Sequence, residues 1–416
     1  MVQLHCLGGF HEVGRNAVLV ESKGTNIMMD YGFAVEKAEA PILPKEKVDA
    51  CFITHGHLDH LGMSPMLYHR KKNFTFATAP TFDLSQLLLR DSLKVAQLRG
   101  IQKRFTPVDI QEMFKASKII ESYADVVKVN NVKVEAWDAG HTPGSCMFLI
   151  NVDGKKIMYT GDFKIEPTIL SHGARFDVKD VDVLIMETTY STRDHPPRVE
   201  VEKDLIREVK GTLDNGGTAV LPSFAVRAPE ILTVLDKLKE NVPIYVDGMA
   251  RDALTIMLKY PEFTRNYKAL KKASERVIPL YSTEERENAV KEQCVIVSTG
   301  GCLEGGPIVQ YLKHFYAKPE CSLILTGFQI PGTAGRYLVD TGRFVHGTMD
   351  LKLKMKLVQL DMSGHAGRNE LLNFVQKIQP SKVITMHGEY CEKFATELSG
   401  RGFPAVAPKA GDVLKV

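Results

Sequence analysis

The most constraining stretch of this sequence is THGHLDH at 54–60, which sets three histidines and an aspartate into six consecutive positions directly behind the apolar run Ala50, Cys51, Phe52 and Ile53. A strand ending at Ile53 delivers His55, His57, Asp59 and His60 onto a turn, where side chains converge because the backbone has left the alternation of a strand. Imidazole and carboxylate are donors that suit zinc and its divalent neighbours. Four such groups so close in sequence fit poorly around a single ion, so two ions, each taking a subset, are the simpler geometry. A polar turn with incidental histidines would account for one of these residues but not for the whole H-x-H-x-D-H pattern.

Similar punctuation recurs downstream. His141 in WDAGHTPGS, Asp162 in MYTGDF and His387 in VITMHGE each stand just after an apolar run. Singly they are ordinary loop residues. Jointly they offer three more donors at the carboxyl ends of strands, where one edge of a sheet assembly can gather them.

The rhythm of the chain supplies the scaffold. Short apolar runs ended by glycine, proline or polar turns (VQLHCLGG, NAVLVES, NIMMDYG, VDACFITHG, FTFATAP) read as strands, and the spacing of Leu84, Leu87, Leu88, Val95 and Leu98 predicts a helix over 81–104. More strands follow up to DVLIMETTY, so residues 1–190 read as a strand-rich layer packed under helices. Beyond the turn TRDHPPRVE, helices and strands alternate regularly, which predicts a parallel sheet flanked by helices over 191–350. Residues 351–416 return to short strands interleaved with helices and rejoin the first unit.

Composition excludes several classes. With 44% apolar and 25% charged residues the chain is no disordered polymer. No apolar run reaches the roughly 18 residues of a membrane helix, and the start MVQLHCLGGF lacks the basic flank of a signal peptide, so the expected setting is cytoplasmic with no membrane partner. Seven cysteines without a C-x-x-C pair point to reduced thiols, with Cys51 and Cys146 read as core residues. The net charge of +3 permits a polyanionic partner without demanding one.

H-x-H-x-D-H, followed by the TPGS histidine, the TGD aspartate and the late histidine, resembles the metallo-β-lactamase superfamily. The segments METTYS, VLPSFAVRAPE, STGGCLEGG, TGFQIPGTAGR, MSGH and MHGE resemble its β-CASP branch of nucleic-acid-processing enzymes. Within that branch the chain is similar to archaeal homologues, of the type without a KH extension, of the endonuclease subunit of the cleavage and polyadenylation specificity factor, with RNase J a near relative. The resemblance implies an α/β fold: a metallo-β-lactamase αββα sandwich with an inserted β-CASP domain. It implies one ion on His55, His57 and His141, a second on Asp59, His60 and His387, Asp162 bridging both, and Asp30 supporting the cluster by hydrogen bonds. The ions implied are two zinc, with manganese as the alternative. Such a pair can activate water and clamp the oxygens of a phosphodiester.

His365 in MSGH is then the branch's candidate acid for the departing sugar oxygen, with Glu187 in METTY bonding its other ring nitrogen; Asp59, Asp162, Glu187 and His365 form the implied catalytic set. Two departures from the branch stand out: Ala366 follows His365 where relatives carry an acidic residue, and Arg227 stands where relatives often have glycine. Arg227, Ser298 and Arg336, near glycine-rich turns, are the expected phosphate contacts. Lys352, Lys354 and Lys356 in LKLKMK are expected on one face of a strand, either solvated or lining an RNA groove. His5, His11, His69, His172, His195, His314 and His346 fall outside the pattern and are read as structural or surface residues.

The expected activity is hydrolysis of single-stranded RNA, internally or from the 5′ end, by a chain that forms a homodimer or joins an RNA-processing complex. Two competing readings are a non-catalytic RNA-binding scaffold, which would have lost ligands that this chain keeps, and a small ester or thioester hydrolase, which would lack the inserted unit.

Overall fold

Burial alternates between two sides along the strands of the first part of the chain, and this alternation builds the layers. In the computed structural model, which describes residues 1–68, 73–98 and 100–416, the chain divides into two compact units. The first comprises Met1–Pro167, Ser171–Asp194 and Gly364–Val416; the second comprises Thr168–Leu170 and His195–Ser363.

The first unit holds two seven-stranded sheets. One runs Val413–Lys415, Gln3–Gly8, Ala17–Ser22, Thr25–Met29, Ala50–Phe52, Phe74–Thr78, Ser117–Ile120; the other runs Ala405–Val406, Lys382–Met386, Val183–Glu187, Lys155–Tyr159, Cys146–Val152, Val132–Asp138, Val126–Val129. Val18, Val20, Ile27, Met29 and Phe52 meet Phe148, Ile150, Ile157 and Ile185 in a core between the sheets. The intervening residues point the other way, as a period of two requires. Ala17, Leu19, Met28 and Cys51 pack under helices Ala79–Leu98 and Pro107–Lys115 through Phe82, Leu89, Ile110 and Met113. Met147, Leu149, Met158, Leu184 and Met186 pack under Arg368–Ile378 and Cys391–Gly400 through Leu371, Phe374, Phe394 and Leu398. The layers are therefore helix, sheet, sheet, helix, the expected αββα sandwich. Strands buried on both faces need apolar residues along their length, which explains the run Val183, Leu184, Ile185, Met186 ahead of Glu187.

The second unit is built on a six-stranded sheet in the order Val277–Leu280, Ile244–Asp247, Val295–Thr299, Ala219–Ser223, Ser322–Leu325, Lys356–Gln359. Every neighbouring pair is parallel. Val220, Ile296, Leu323 and Leu325 pack against Ile308, Tyr311, Leu312, Phe315 and Leu338, so this is the expected parallel sheet flanked by helices.

Three local expectations change. The helix expected over 81–104 begins at Ala79 and ends at Leu98. LKLKMK is not one strand: Met349–Lys352 forms a hairpin with Arg343–His346, whereas Lys356–Gln359 joins the six-stranded sheet beside Ser322–Leu325. Between them the amides of Lys354 and Met355 both donate to the Tyr316 carbonyl, which interrupts the strand, while Lys352, Lys354 and Lys356 all remain exposed and Met355 is buried. Because that last strand belongs to the second unit, the chain re-enters the first unit at Gly364 and not at the expected 351. His69 lies outside the described residues.

Candidate metal centre

All nine residues expected as metal ligands or as the acid pair fall in the first unit; most are placed by the end of a strand or the loop after it, whereas Asp59 and His60 lie in the helical turn Leu58–Leu61 and His365 in the segment ahead of Arg368–Ile378. Asp30 follows Thr25–Met29, His55 to His60 follow Ala50–Phe52, His141 follows Val132–Asp138, Asp162 follows Lys155–Tyr159, Glu187 closes Val183–Glu187 and His387 follows Lys382–Met386. Parallel neighbours such as Glu187 and Met386, which sit side by side, bring these ends to one edge.

The donors form overlapping groups. His55, His57, His141 and Asp162 present atoms within 4.8 Å of one another, as do Asp59, His60, Asp162 and His387; Asp162 belongs to both. A third group joins Asp162 and His387 to Glu187 and His365. His57 Nδ1 lies 3.0 Å from His55 Nε2 and 3.3 Å from His141 Nε2. Asp162 Oδ2 is 3.5 Å from His55 Nε2, and its Oδ1 is 3.1 Å from His60 Nε2 and 3.3 Å from His387 Nδ1. His387 Nε2 meets Asp59 Oδ2 at 3.1 Å.

The remaining ring nitrogens are held from behind. His60 Nδ1 bonds Asp30 Oδ2 at 2.7 Å, and Asp30 also accepts from the Thr54 amide, the Thr54 hydroxyl and Tyr159. His141 Nδ1 bonds the Gly364 carbonyl at 2.8 Å. Thr54 Oγ1 lies 3.1 Å from His55 Nδ1 and Thr189 Oγ1 lies 2.9 Å from His387 Nδ1. Such backing fixes tautomer and ring orientation and leaves lone pairs facing inward.

Electrostatics fit a cation. Burial, reinforced by the neighbouring His60, lowers His55 well below its ordinary value, and burial lowers His57 to about 4, so both rings are neutral donors. Burial also opposes charge on His60, but Asp162, Asp30 and Asp59 together raise it well above the usual range. Against the same burial, His387 and His60 hold Asp162 ionised. Asp162 Oδ1 is buried among the His60 and His387 ring nitrogens without a hydrogen bond of good geometry, an acceptor placed to serve a cation. Imidazole nitrogens converging to 3.0 and 3.3 Å with a carboxylate among them are the donor set of zinc or a similar divalent ion.

Beside the donors, His365 Nδ1 meets both oxygens of Glu187 at 3.0 and 3.1 Å. Burial pulls His365 down, but Glu187 and then Asp162 lift it to about 9. Glu187 is itself fixed by the Phe163 amide at 2.8 Å and the Thr189 hydroxyl at 2.5 Å.

The three expected phosphate contacts are placed differently. Ser298 is fully buried, with its hydroxyl on the Thr299 carbonyl. Arg227 pairs with Glu230 at 2.6 Å and donates to the Met362 carbonyl. Arg336 is exposed and pairs with Asp340 on its own helix. Sequence reading passed over Thr54, Thr189, Tyr159 and Asn16, whose Nδ2 lies 3.0 Å from His60 Nε2. Only Thr54 carried a signal, its adjacency to His55.

A two-sheet sandwich that gathers histidines and carboxylates into paired donor groups at its strand ends is a metallohydrolase scaffold of the metallo-β-lactamase kind. Comparison with known families agrees. Residues 19–177 match a metallo-beta-lactamase superfamily domain, residues 228–338 a Beta-Casp domain and residues 350–408 a Zn-dependent metallo-hydrolase RNA specificity domain. The Probable RNase MJ4 of Methanocaldococcus jannaschii is 36% identical over 98% of this chain and 99% of its own length. RNase aCSPSF2 of Saccharolobus solfataricus is 33% identical over 92% of this chain and 79% of its own, and the transcription termination factor FttA of Pyrococcus horikoshii 32% identical over 100% and 71%. A crystal structure of a protein of unknown function from Enterococcus faecalis V583 shares the fold, with a TM-score of 0.63 and 15% identity over 99% of both chains. The chain belongs to the β-CASP branch of the metallo-β-lactamase superfamily, alongside these archaeal proteins.

Proposed function

We propose that this protein is a metal-dependent ribonuclease that hydrolyses phosphodiester bonds in single-stranded RNA. The observation that carries the reading is the junction at Asp162, where two donor groups share one carboxylate and the His365–Glu187 pair stands beside them. His55, His57 and His141 would hold one divalent ion and Asp59, His60 and His387 the other, with Asp162 common to both; zinc is the expected metal and manganese the alternative. Bound ions of this kind lower the pKa of water and neutralise charge on phosphodiester oxygens.

The chain's own residues supply the remaining chemistry. Glu187 accepts from His365 Nδ1 and keeps the ring charged, so Nε2–H is the proton available to the leaving oxygen. Water attacks phosphorus, the bond from phosphorus to the 3′ oxygen breaks, and that oxygen takes the His365 proton while the water releases one to solvent. The products carry a 5′-phosphate and a 3′-hydroxyl. The names of the relatives favour RNA processing or transcription termination as the setting, with a homodimer or a processing complex as the assembly. Seven cysteines, all buried and unbridged, suit a reducing, cytoplasmic location, and no helix among the described residues is long and apolar enough to cross a membrane. Of the expected phosphate contacts, Arg336 is the one whose exposure suits the role.

The test is incubation of purified, metal-loaded protein with labelled single-stranded RNAs bearing 5′-hydroxyl, monophosphate or triphosphate ends. Cutting that requires metal and disappears in Asp59→Ala is the expected result, and the product lengths report internal or end-directed cleavage. Cutting that survives Asp59→Ala overturns the site, and faster turnover of a thioester or lactone than of any RNA overturns the substrate class.

A further inference from the structure

We infer that Lys164 and Glu370 form a buried clamp that sets the position of His365, making Lys164 a positioning residue for the acid step; the inference rests on the reading of His365 as the acid.

Lys164 stands just beyond Asp162, yet its ammonium turns away from the donor groups and is buried, with 1% of the residue exposed. Its Nζ donates to the carbonyl of His365 at 3.4 Å and to Glu370 Oε2 at 3.3 Å. Glu370 in turn collects three amides. Its Oε1 accepts from Ile165 at 3.0 Å and Glu166 at 2.7 Å, and its Oε2 accepts from Gly367 at 3.0 Å. The Lys164 backbone ties in a further loop, since its amide donates to the Ala139 carbonyl and its carbonyl accepts from Ala174. The Lys164 side chain thereby joins the loop after Asp162 to the segment 364–367 and its backbone adds the loop before His141, with every contact inside the first unit.

A stability role alone is a poor reason for such a pair. Burying the Lys164 ammonium between a half-buried Glu370 at 3.3 Å and Glu166 at 3.8 Å gains little over an apolar group of the same volume, so the pairing is better explained by the geometry it fixes. Segment 364–367 has no regular structure of its own. Apart from the clamp, its backbone ties include the bridge between Gly367 and Tyr190, the bond from the Leu371 amide to the Gly367 carbonyl and the bond from His141 to the Gly364 carbonyl. The bond from Lys164 is made to the backbone of the residue whose ring must both meet Glu187 and face the leaving oxygen. A shift of about 1 Å at such a group can slow a reaction on the order of a hundredfold.

The experiment compares kcat and KM of Lys164→Met, Glu370→Gln, His365→Ala and the Lys164→Met/His365→Ala double variant on RNA and on bis(4-nitrophenyl) phosphate, whose leaving group needs no proton. The clamp predicts that Lys164→Met lowers kcat on RNA by about 10- to 100-fold with KM unchanged, and alters turnover of the nitrophenyl ester by no more than about twofold. Glu370→Gln follows the same pattern more mildly, Lys164→Arg restores part of the rate, and the double variant is no slower on RNA than His365→Ala. Metal content, measured by elemental analysis, equals that of the wild type in each variant. Equal slowing on both substrates, loss of metal in Lys164→Met, or a double variant slower by the product of the two single losses would overturn the clamp. His365→Ala serves as the separate check: equal slowing of both substrates there removes the acid role itself, whereas selective slowing there without any in Lys164→Met removes the clamp alone.

Discussion

At the scale of single residues, the carboxylates divide the surrounding rings among them, Asp162 touching both donor groups and Glu187 facing His365. Glu187 is spent on His365, and that pairing dictates a pH dependence. His365 is raised from its ordinary 6.5 to about 9. As the proposed acid, His365 would be charged below that value and lose its proton as pH rises through it, so an alkaline limb in kcat is expected. Replacing Glu187 by Gln removes the largest upward push, so the limb should move to lower pH; a pH–rate profile in which the limb stays put would show that some other group sets it. At Asp138 the shift has the same direction, but burial drives it and does not oppose it. Burial raises its carboxyl from 3.8 to about 6, although it accepts from the Gly140 amide ahead of His141. Between those values the folded form holds the proton more tightly than the unfolded chain, so stability falls as pH rises from about 4 to about 6. Asp138→Asn keeps an oxygen for Gly140 and should flatten that slope, removing a change on the order of 2 kcal/mol, as denaturant melts at successive pH values would measure.

At the scale of elements, function depends on where strands stop. Gly161 separates Lys155–Tyr159 from Asp162 with φ of +51°, and a Cβ there would lie 2.6 Å from Thr54 Cγ2. Thr54 carries the hydrogen bonds to Asp30 and His55, so Gly161→Ala should disturb two donor loops at once. Metal affinity is expected to weaken about 10- to 100-fold, the usual effect of losing a partner behind a ligand, and a competition titration against a chromophoric chelator would measure it. Strand ends were also what made the centre legible in advance. A histidine or aspartate after an apolar run is visible in sequence, and all seven expected ligands gather in the structure. Of the backing groups only Asp30 was expected, from the resemblance; the others were not visible, because a threonine hydroxyl or a Gly364 carbonyl carries no pattern that marks its target. Ser298 and Arg227 mark a related limit: glycine-rich turns advertise backbone access but do not say whether the nearby side chain faces solvent or, like Ser298, is buried. LKLKMK shows the same limit for a whole element, since alternation announces a strand but not which sheet it joins.

At the scale of the molecule, two units have separate cores, and every expected metal ligand lies in the first. The change of rhythm near 191 revealed the insertion because period and element order are written in sequence; the return point was hidden because Lys356–Gln359 looks like any short strand. This division makes the consequence of metal loading specific. A ligand that binds only the folded form, at about a hundred times its Kd, stabilises by about 2.7 kcal/mol, and a domain of this size shifts by about 2–4 °C per kcal/mol. The sole tryptophan, Trp137, lies in the strand Val132–Asp138 of the first unit and packs against its core, so its fluorescence reports the unfolding of that unit. Removing bound metal with a chelator should lower the midpoint read by Trp137 by about 5–10 °C, and adding back zinc should restore it. The Asp59→Ala/His60→Ala variant, stripped of one donor group, should respond far less to the same chelator. A Trp137 transition that ignores both chelator and zinc would mean that the donors gathered around Asp162 hold no ion in the folded protein.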